Sequence, residues 1–480
     1  MKTKPKKFSL IIKDGVIPLL RRLRRGPILF SFALCVIAAF VIITNGANSR
    51  LADIRSVVGH IFLVLLIFTL YIILQGRIIQ GRKFNNSEKY LLASIAGIYI
   101  IGSVLIKSLS PGFNDFPVAL AVPTALFVMI LAVFFGKRLA MIMSIALPLG
   151  AFFSGAFDSY SYIIALVSGI TASTLLHNAN NRMSLIKSGL IIAAANSFAV
   201  IVVLLMREAH LIDYPAMLFW AILNGIICGM LTLGFLPPLE HALNAVTSFR
   251  LMELSDLNAP VLRKLFTTAP GTYSHSLMVA NLAEQACQDI GANALLARVG
   301  SYYHDIGKMD NPDYFVENQT DHNRHDELAP RLSATIIRSH VKLGVEKAYS
   351  LGLPRDVISI IAEHHGNSVI SWFYNKASEQ EELVNTEDFS YPGVPPYSQE
   401  SAVVMLADVS EAAVRTLDKP NAVKIEKFIQ QLFESKVEHG QLENSDLSFR
   451  DLETIKKAFV KVLAGYYHSR IEYPKQKEET

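Results

Sequence analysis

Long apolar stretches that carry almost no charge fill the first half of the chain. They lie at about 27–44, 57–75, 89–107, 117–135, 139–157, 160–176, 189–206 and 216–236. A helix of ~20 apolar residues is long enough to cross the ~30 Å hydrocarbon core of a bilayer. Buried helices of a large soluble protein would be fewer and richer in charge. The pattern therefore predicts a transmembrane domain over 27–236 with about eight spans.

Two features leave the number of spans open by one. Only Asp158 and Ser159 separate the fifth and sixth stretches, and Pro148 and Gly155 allow a broken helix in this region. The basic segment 1–26, followed directly by an apolar run, resembles the start of a signal peptide. The run is long for that role and no small-residue cleavage site follows it, which favours an uncleaved first span.

Shorter apolar-periodic segments follow in the second half, separated by Gly, Pro or polar runs. We predict helices over 273–290, 292–304, 331–350, 354–365 and 400–417. An amphipathic connector helix over 237–268 precedes them, with Pro237-Pro238 breaking the last span and Pro260 a kink. The predicted fold class is all-α: a polytopic helical membrane domain, a helical domain over 269–470, and a polar tail over 471–480.

The charge balance differs sharply between the two halves. Residues 1–236 hold 21 Lys+Arg and 7 Asp+Glu, a net +14, whereas 237–480 hold 24 and 34, a net −10. An acidic half argues against a nucleic-acid polymer as partner, because such a polymer needs a basic footprint. The three cysteines, Cys35, Cys228 and Cys287, lie far apart, so structural disulfides are not expected.

Basic residues between the apolar stretches predict the orientation. With a cytoplasmic N-terminus, the inner loops carry Arg77, Arg82, Lys83, Lys89, Lys137, Arg138, Arg182 and Lys187. The outer loops carry only Arg50, Arg55, Lys107 and Arg207. This bias predicts that 1–26 and the second half both face the cytoplasm, across a cell membrane that the chain crosses several times.

Histidines and aspartates in the second half form a candidate metal site. They are His275, His304, Asp305, His340, His364, His365 and Asp408. Imidazole and carboxylate suit iron, manganese or zinc, and a carboxylate can bridge two ions where an imidazole nitrogen cannot. A lone histidine on such a helix would usually be a core residue, but this set with its His-Asp and His-His pairs favours two metal ions. Asp305 is the obvious bridge.

The sequence motifs around these residues resemble those of a known family. The stretches APGTYSHS at 269–276, YHDIGK at 303–308, YFVENQ at 314–319 and HHG at 364–366 are similar to those of the seven-transmembrane HD phosphodiesterases. These PgpH-type enzymes of the HD superfamily hydrolyse cyclic di-AMP. The family carries a large extracellular sensory domain after its first span, whereas here only about 45–56 lies there, so the resemblance does not imply an external sensing role.

The resemblance implies how two ions, most readily iron or manganese, are held. One ion would be bound by His275, His304, Asp305 and Asp408, and the other by Asp305, His340, His364 and His365. Two such cations lower the pKa of a shared water and clamp phosphate oxygens. We therefore expect a metal-dependent phosphodiesterase that opens cyclic di-AMP to linear pApA by attack of hydroxide.

Two basic residues are candidates for phosphate contact. Lys308 follows Asp305 after a Gly turn, where an ammonium would reach a phosphate oxygen, although a solvated surface lysine has the same pattern. Arg415 lies about two turns beyond Asp408 on the same helix face. It would serve a phosphate or pair with Glu411 at i,i+4, and the sequence leaves both open.

Loop residues after the His-Asp pair are candidates for base contact. Tyr314, Asn318 and Gln319, beside Phe315, offer stacking and amide groups for a flat base, and loop packing would use the same residues. A nearby polar cluster at His322, His325 and Asp326 stays outside the predicted metal set. Asn311 replaces the basic residue expected before Pro312 in the family, so the resemblance does not imply a substrate contact there.

Other functions share part of this pattern. A receptor or scaffold would bind a nucleotide at an HD fold without turning it over. Cyclic di-GMP hydrolases of the HD-GYP class need Gly-Tyr-Pro soon after the double histidine, and Gly366-Asn367-Ser368 stands there instead. HD triphosphate hydrolases lack a polytopic domain. Whether the chain forms a homodimer stays open.

Overall fold

A computed structural model describes residues 86–109, 117–175, 182–210, 212, 214–319, 322–380, 383–418 and 420–467. Over these residues the chain is helical, and strand-like pairing is confined to an isolated bridge between Val369 and Ser390. The all-α class is therefore confirmed. The chain divides into two compact units, Met1–Thr247 and Ser248–Thr480.

The described part of the first unit contains six α-helices. They are α1 Asn86–Ser108, α2 Thr124–Phe135, α3 Lys137–Phe153, α4 Ser159–Leu175, α5 Met183–Met206 and α6 Tyr214–Leu243. Of these, α1, α5 and α6 are long and apolar enough to cross a membrane, while α2 and α4 are shorter apolar helices. The predicted spans at 27–44 and 57–75 lie outside the described residues.

The stretch 117–135 does not form one continuous helix, contrary to the prediction of a single span. A 3₁₀ turn at Val118–Leu120 precedes α2, because prolines at 117 and 123 lack the N–H that a continuing helix needs. The carbonyls of Leu120 and Val122 accept hydrogen bonds from Asn224 Nδ2 at 3.0 and 3.2 Å. This buried amide satisfies the non-helical backbone, as a bilayer interior requires.

Small residues bring α5 and α6 into close contact. A Cβ atom added to Gly225 would lie 2.3 Å from the backbone nitrogen of Ala193, so the two helix backbones approach closely, as is common between membrane helices. The prediction that Pro237-Pro238 breaks α6 is wrong, since the helix continues to Leu243. Buried Leu236 and Glu240, which accepts from Arg182 at 3.0 Å, hold this end in place despite the lost backbone bonds.

The second unit contains ten α-helices among its described residues. They are α7 Ser248–Leu254, α8 Pro260–Thr268, α9 Pro270–Ile290, α10 Ala294–Tyr303, α11 Pro330–Ser350, α12 Arg355–Glu363, α13 Ser371–Ser378, α14 Gln399–Val414, α15 Ala422–Glu438 and α16 Phe449–Tyr466. The predicted connector is not one helix: it comprises the end of α6, then α7 and α8. Pro260 begins α8 instead of kinking a helix. The first position of a helix needs no intrahelical N–H bond, so proline is well tolerated there.

Helices α9 and α14 form the middle of the second unit. The apolar side chains of Val279, Leu282 and Ala283 on α9 are fully buried, as are those of Val404 and Leu406 on α14. Helix α9 packs against α10, α14 and α16, and α12 packs against α10, α11 and α14. This packing brings the polar ends of several helices to one place.

Candidate metal centre

The predicted metal ligands come together in the second unit, but fewer lie on helices than the sequence suggested. His275, His340 and Asp408 project from α9, α11 and α14. His304 caps α10 and Asp305 follows it, while His364 caps α12 and His365 follows that. The two ligand pairs therefore sit in the turns that end their helices, where the chain can aim consecutive side chains at one point.

A glycine allows the His-Asp turn to approach α11. A Cβ added to Gly307 would lie 1.9 Å from the carbonyl oxygen of His340 and 2.7 Å from the nitrogen of Gly344. Only a residue without a side chain fits at that separation. The close contact places Asp305 beside His340.

The two carboxylate oxygens of Asp305 face different histidine pairs. Its Oδ2 atom lies 3.3 Å from His304 Nε2 and 3.8 Å from His275 Nε2. Its Oδ1 atom lies 3.3 Å from His340 Nε2 and 3.7 Å from His364 Nε2. One carboxylate thus stands between two sets of nitrogens, as a bridging ligand must.

Asp408 also reaches both sides of the cluster. Its Oδ1 atom lies 3.0 Å from His275 Nε2 and 3.9 Å from His304 Nε2. Its Oδ2 atom lies 3.5 Å from His365 Nδ1. The ring of His365 stacks on Tyr391 with ring centroids 4.1 Å apart.

Backbone carbonyls fix the tautomer of three histidines. The Nδ1 atoms of His304, His340 and His364 donate to the carbonyls of Ser301, Ile337 and Ile361, at 2.7, 2.5 and 2.8 Å. Because a carbonyl only accepts, the proton sits on Nδ1 and the Nε2 lone pair points to the cluster. Metal-binding histidines are commonly oriented in this way.

Several buried polar atoms of the cluster lack a hydrogen-bond partner among the described residues, and a bound cation would satisfy them. His304 Nε2 and Asp305 Oδ1 are buried and make no hydrogen bond within the described structure. The Nε2 atoms of His340 and His364 lie 3.3 Å apart although each presents a lone pair. Leaving such groups unpaired in a protein interior costs ~1–3 kcal/mol each. The donor set therefore fits divalent ions, and three overlapping groups have donor atoms close enough together to share an ion: His275-His304-Asp305, His340-His364-His365 and His304-His364-Asp408.

Burial and neighbouring charges keep three of the candidate ligands, His340, His364 and Asp305, in their metal-binding forms. Burial, reinforced by the neighbouring His304, lowers the pKa of His364 to about 3, and burial also lowers the pKa of His340. Burial alone would raise the pKa of Asp305, but His304 and Lys308 hold it well below its usual value. Neutral imidazoles and an ionised carboxylate are what a divalent ion requires.

Glu411 contacts the candidate centre, and the sequence analysis did not predict this contact. Its Oε2 atom accepts from Nδ1 of His275 at 2.5 Å and also contacts Arg415. Burial alone would lower the pKa of His275, but its hydrogen bonds to Asp408 and Glu411 raise this pKa to about 10. The available signal was the spacing, since Glu411 lies three residues after Asp408 and hence on the same helix face.

A cleft of about 840 Å³ opens onto the histidine-aspartate cluster. This lies within the usual range for small-molecule sites, ~300–1,000 Å³. Its wall includes five aromatic residues, Tyr314, Phe315, Trp372, Phe373 and Tyr391, and three basic residues, Lys308, Arg415 and Lys436. Trp372, Tyr391 and Lys436 were not anticipated from the sequence.

The predicted phosphate-contact residues are placed differently from one another. Lys308 is buried, with Nζ 2.6 Å from Asp305 Oδ2 and 2.8 Å from Glu317 Oε1, so it is not a solvated surface lysine. Arg415 lines the cleft and pairs with Glu411, so both roles left open for it are structurally available.

The predicted base-contact residues divide between the cleft and the loop. Tyr314 and Gln319 line the cleft. Asn318 instead holds the loop to α9, accepting from the backbone N–H of Thr272 at 3.1 Å and donating to its hydroxyl at 2.9 Å. The structure thus gives Asn318 a role in loop packing.

The neighbouring polar cluster does not join the candidate ligands. His325 Nε2 donates to the carbonyl of Tyr314 at 2.7 Å, and His322 lies 3.2 Å from Glu327 on the surface. Neither histidine belongs to a candidate metal group in the described part of the chain.

Comparison with known proteins supplies family context for this geometry. A family described as 7TM receptor with intracellular HD hydrolase matches residues 54–247, and the HD domain family matches residues 272–413. The chain is 38% identical over 404 residues to cyclic-di-AMP phosphodiesterase PgpH of Bacillus subtilis, covering 82% of this chain and 57% of that protein. It is 36% identical over 366 residues to the protein of that name in Listeria monocytogenes, covering 75% and 51%.

A solved structure also resembles part of the chain. The HD domain of L. monocytogenes PgpH in complex with cyclic-di-AMP is 42% identical, with a TM-score of 0.43, and covers 45% of this chain and 100% of that one. The chain spans about half the length of the full-length relatives it matches, 57% and 51%. The matched family and the apolar helices make this a membrane protein.

Proposed function

The chain belongs to the family of 7TM receptors with an intracellular HD hydrolase, and we propose that it is a metal-dependent phosphodiesterase that hydrolyses cyclic di-AMP to linear pApA. Two relatives that align with most of the chain are named cyclic-di-AMP phosphodiesterases. The observation that carries the proposal is the position of Asp305, whose two oxygens face separate histidine pairs.

Two divalent ions, iron or manganese, would be held by the residues around this carboxylate. His275, His304, Asp305 and Asp408 form one set, and Asp305, His340, His364 and His365 form the other. When bound, such ions supply an activated water and neutralise charge on the phosphate. The hydrolysis adds the water oxygen to phosphorus and breaks the bond from phosphorus to the 3′-oxygen, which leaves as a hydroxyl after taking a proton.

The chain's own residues would position the substrate. Lys308, beside Asp305 at the floor of the cleft, is placed to stabilise charge that develops on the phosphate oxygens. Tyr314 and the exposed ring of Trp372 offer flat surfaces for an adenine base. Gln319 and Arg415 would supply further polar contacts from the wall.

The loop charges support a cytoplasmic position for this unit, where a cyclic dinucleotide messenger would be found. Inner loops hold more Lys and Arg than outer loops at each step of the predicted topology. The membrane unit would then act as an anchor.

A substrate panel tests the proposal. The full chain in detergent, loaded with manganese or iron, should release pApA from cyclic di-AMP and should be much slower on cyclic di-GMP and dGTP. Binding of cyclic di-AMP without turnover would favour a receptor. Faster cleavage of cyclic di-GMP or dGTP would identify that compound as the substrate in place of cyclic di-AMP.

A further inference from the structure

Three cations line the cleft, and they differ in what balances their charge. Lys308 lies within 3 Å of two carboxylates, those of Asp305 and Glu317. Arg415 pairs with Glu411. Both side chains therefore have anionic partners within the protein.

Lys436 is the exception. It projects from α15 into the cleft wall, and its Nζ atom donates to the hydroxyl of Ser368 at 2.9 Å. In the described part of the chain no carboxylate lies within ion-pair distance of it. Burial lowers the pKa of Lys436, and the charge of Asp408 across the cleft only partly opposes this. A partly buried ammonium with a neutral partner costs free energy that an anion in the cleft would offset.

The position of this ammonium is well defined relative to the metal centre. Ser368 follows the His364-His365 turn, and its carbonyl accepts from the backbone N–H of Tyr391 at 3.0 Å. Tyr391 in turn stacks on His365. Beyond the end of α15, Gln441 donates to Asn367 in the same turn at 2.7 Å, which ties the two segments together.

We propose that Lys436, with the hydroxyl of Ser368, binds the second phosphate of a cyclic dinucleotide, the one that is not being cleaved. This inference rests on the proposed function, since a cyclic dinucleotide carries two phosphodiesters and the metal centre engages one of them. An ammonium and a hydroxyl both donate to phosphate oxygens. The subsite would favour a cyclic dinucleotide over a substrate with a single phosphate.

Two measurements on the full chain test this role. The first is the Kd for cyclic di-AMP in the presence of a chelator, by calorimetry, where no turnover occurs. The second is kcat/KM of the manganese-loaded protein for cyclic di-AMP and for bis(p-nitrophenyl) phosphate, which has one phosphodiester and no second phosphate.

Lys436→Gln should weaken binding and lower kcat/KM for cyclic di-AMP by roughly ten- to a hundredfold, the usual effect of losing a hydrogen bond to a charged group. Turnover of bis(p-nitrophenyl) phosphate should not change. Lys436→Arg should restore most of the affinity. The matched control is Lys427→Gln, on the exposed face of the same helix, which should behave as wild type.

The outcomes separate the two proposals. If the wild type cleaves cyclic di-AMP and Lys436→Gln matches Lys427→Gln, the subsite is refuted while the function stands. An equal loss on both substrates would also refute it, because the residue would then act on the metal centre or the fold. Thermal unfolding guards against misfolding: Lys436→Gln should have a Tm no lower than wild type, since it removes an unbalanced charge. If the wild type cleaves only bis(p-nitrophenyl) phosphate, the proposed function itself fails.

Discussion

Asp305 Oδ1 lies 3.3 Å from His340 Nε2, a contact between the turn after α10 and the middle of α11. Gly307 makes this contact possible, because any Cβ there would meet the carbonyl of His340 at 1.9 Å. The geometry of the candidate metal centre therefore depends on a residue that carries no functional group.

Gly307→Ala should separate the turn from α11 and disrupt the metal centre. We expect loss of bound metal and of cyclic di-AMP hydrolysis, together with a lower Tm, because overpacking of this kind costs ~1–3 kcal/mol or more. Metal analysis and thermal unfolding of the full chain measure both effects. Gly465→Ala is the control: Gly465 is an exposed position of α16 with open space around its Cβ, and the substitution should stabilise the protein by ~0.5–1 kcal/mol. Normal metal content in Gly307→Ala would contradict this account.

Glu411→Gln should weaken metal binding without removing a direct ligand. The glutamate accepts from Nδ1 of His275, and loss of such a partner typically lowers metal affinity ~10–100-fold. Titration of chelator-stripped protein with manganese measures the change. Glu400→Gln on the same helix, where the side chain accepts from the N–H of Asn293 at the surface, should leave the affinity unaltered. Equal affinities for the two variants would remove Glu411 from the centre.

Lys308→Ala should reduce the rate more than the affinity. An ammonium that acts on developing phosphate charge contributes mainly in the transition state. Loss of one such contact costs ~2.7–4 kcal/mol, about a hundred- to thousandfold in kcat. The variant should keep its metal ions and still bind cyclic di-AMP, as shown by metal analysis and calorimetry. Near-normal turnover would show that Lys308 has only a structural role through its ion pairs with Asp305 and Glu317. The control is Lys342→Ala, at an exposed lysine, which should behave as wild type.

Cysteine labelling tests the orientation given by the loop charges. In a chain without Cys35, Cys228 and Cys287, Asn48→Cys should react with an impermeant thiol reagent on intact cells and Asn85→Cys should not. Permeabilised cells should label at both positions. The reverse pattern would place the hydrolase unit outside the cell.

The sequence predicted the all-α class and the candidate ligands because both leave local signals. Helical periodicity predicts α9, α11 and α14. Adjacent ligand-type residues such as His304-Asp305 can be recognised directly in the sequence at the end of a predicted helix. Contacts between distant segments leave no such signal. The packing of Gly307 on His340 and the hydrogen bond from Lys436 to Ser368 depend on how helices meet.

The incorrect predictions have the same origin. Pro237-Pro238 is a strong local breaker, yet buried neighbours hold α6 together through it. The apolar pattern at 117–135 hides a turn whose carbonyls are satisfied by Asn224, far along the chain. In both cases tertiary packing overrides the local pattern.

We propose that one carboxylate, Asp305, holds two metal ions and that both are required for the hydrolysis of cyclic di-AMP. The most direct measurement is the metal content of the purified wild-type chain and of its Asp305→Ala and His340→Ala variants, determined alongside release of pApA. We expect two ions and turnover in the wild type, loss of both ions and of turnover in Asp305→Ala, and loss of mainly one ion in His340→Ala. Two ions still bound to Asp305→Ala would contradict the account.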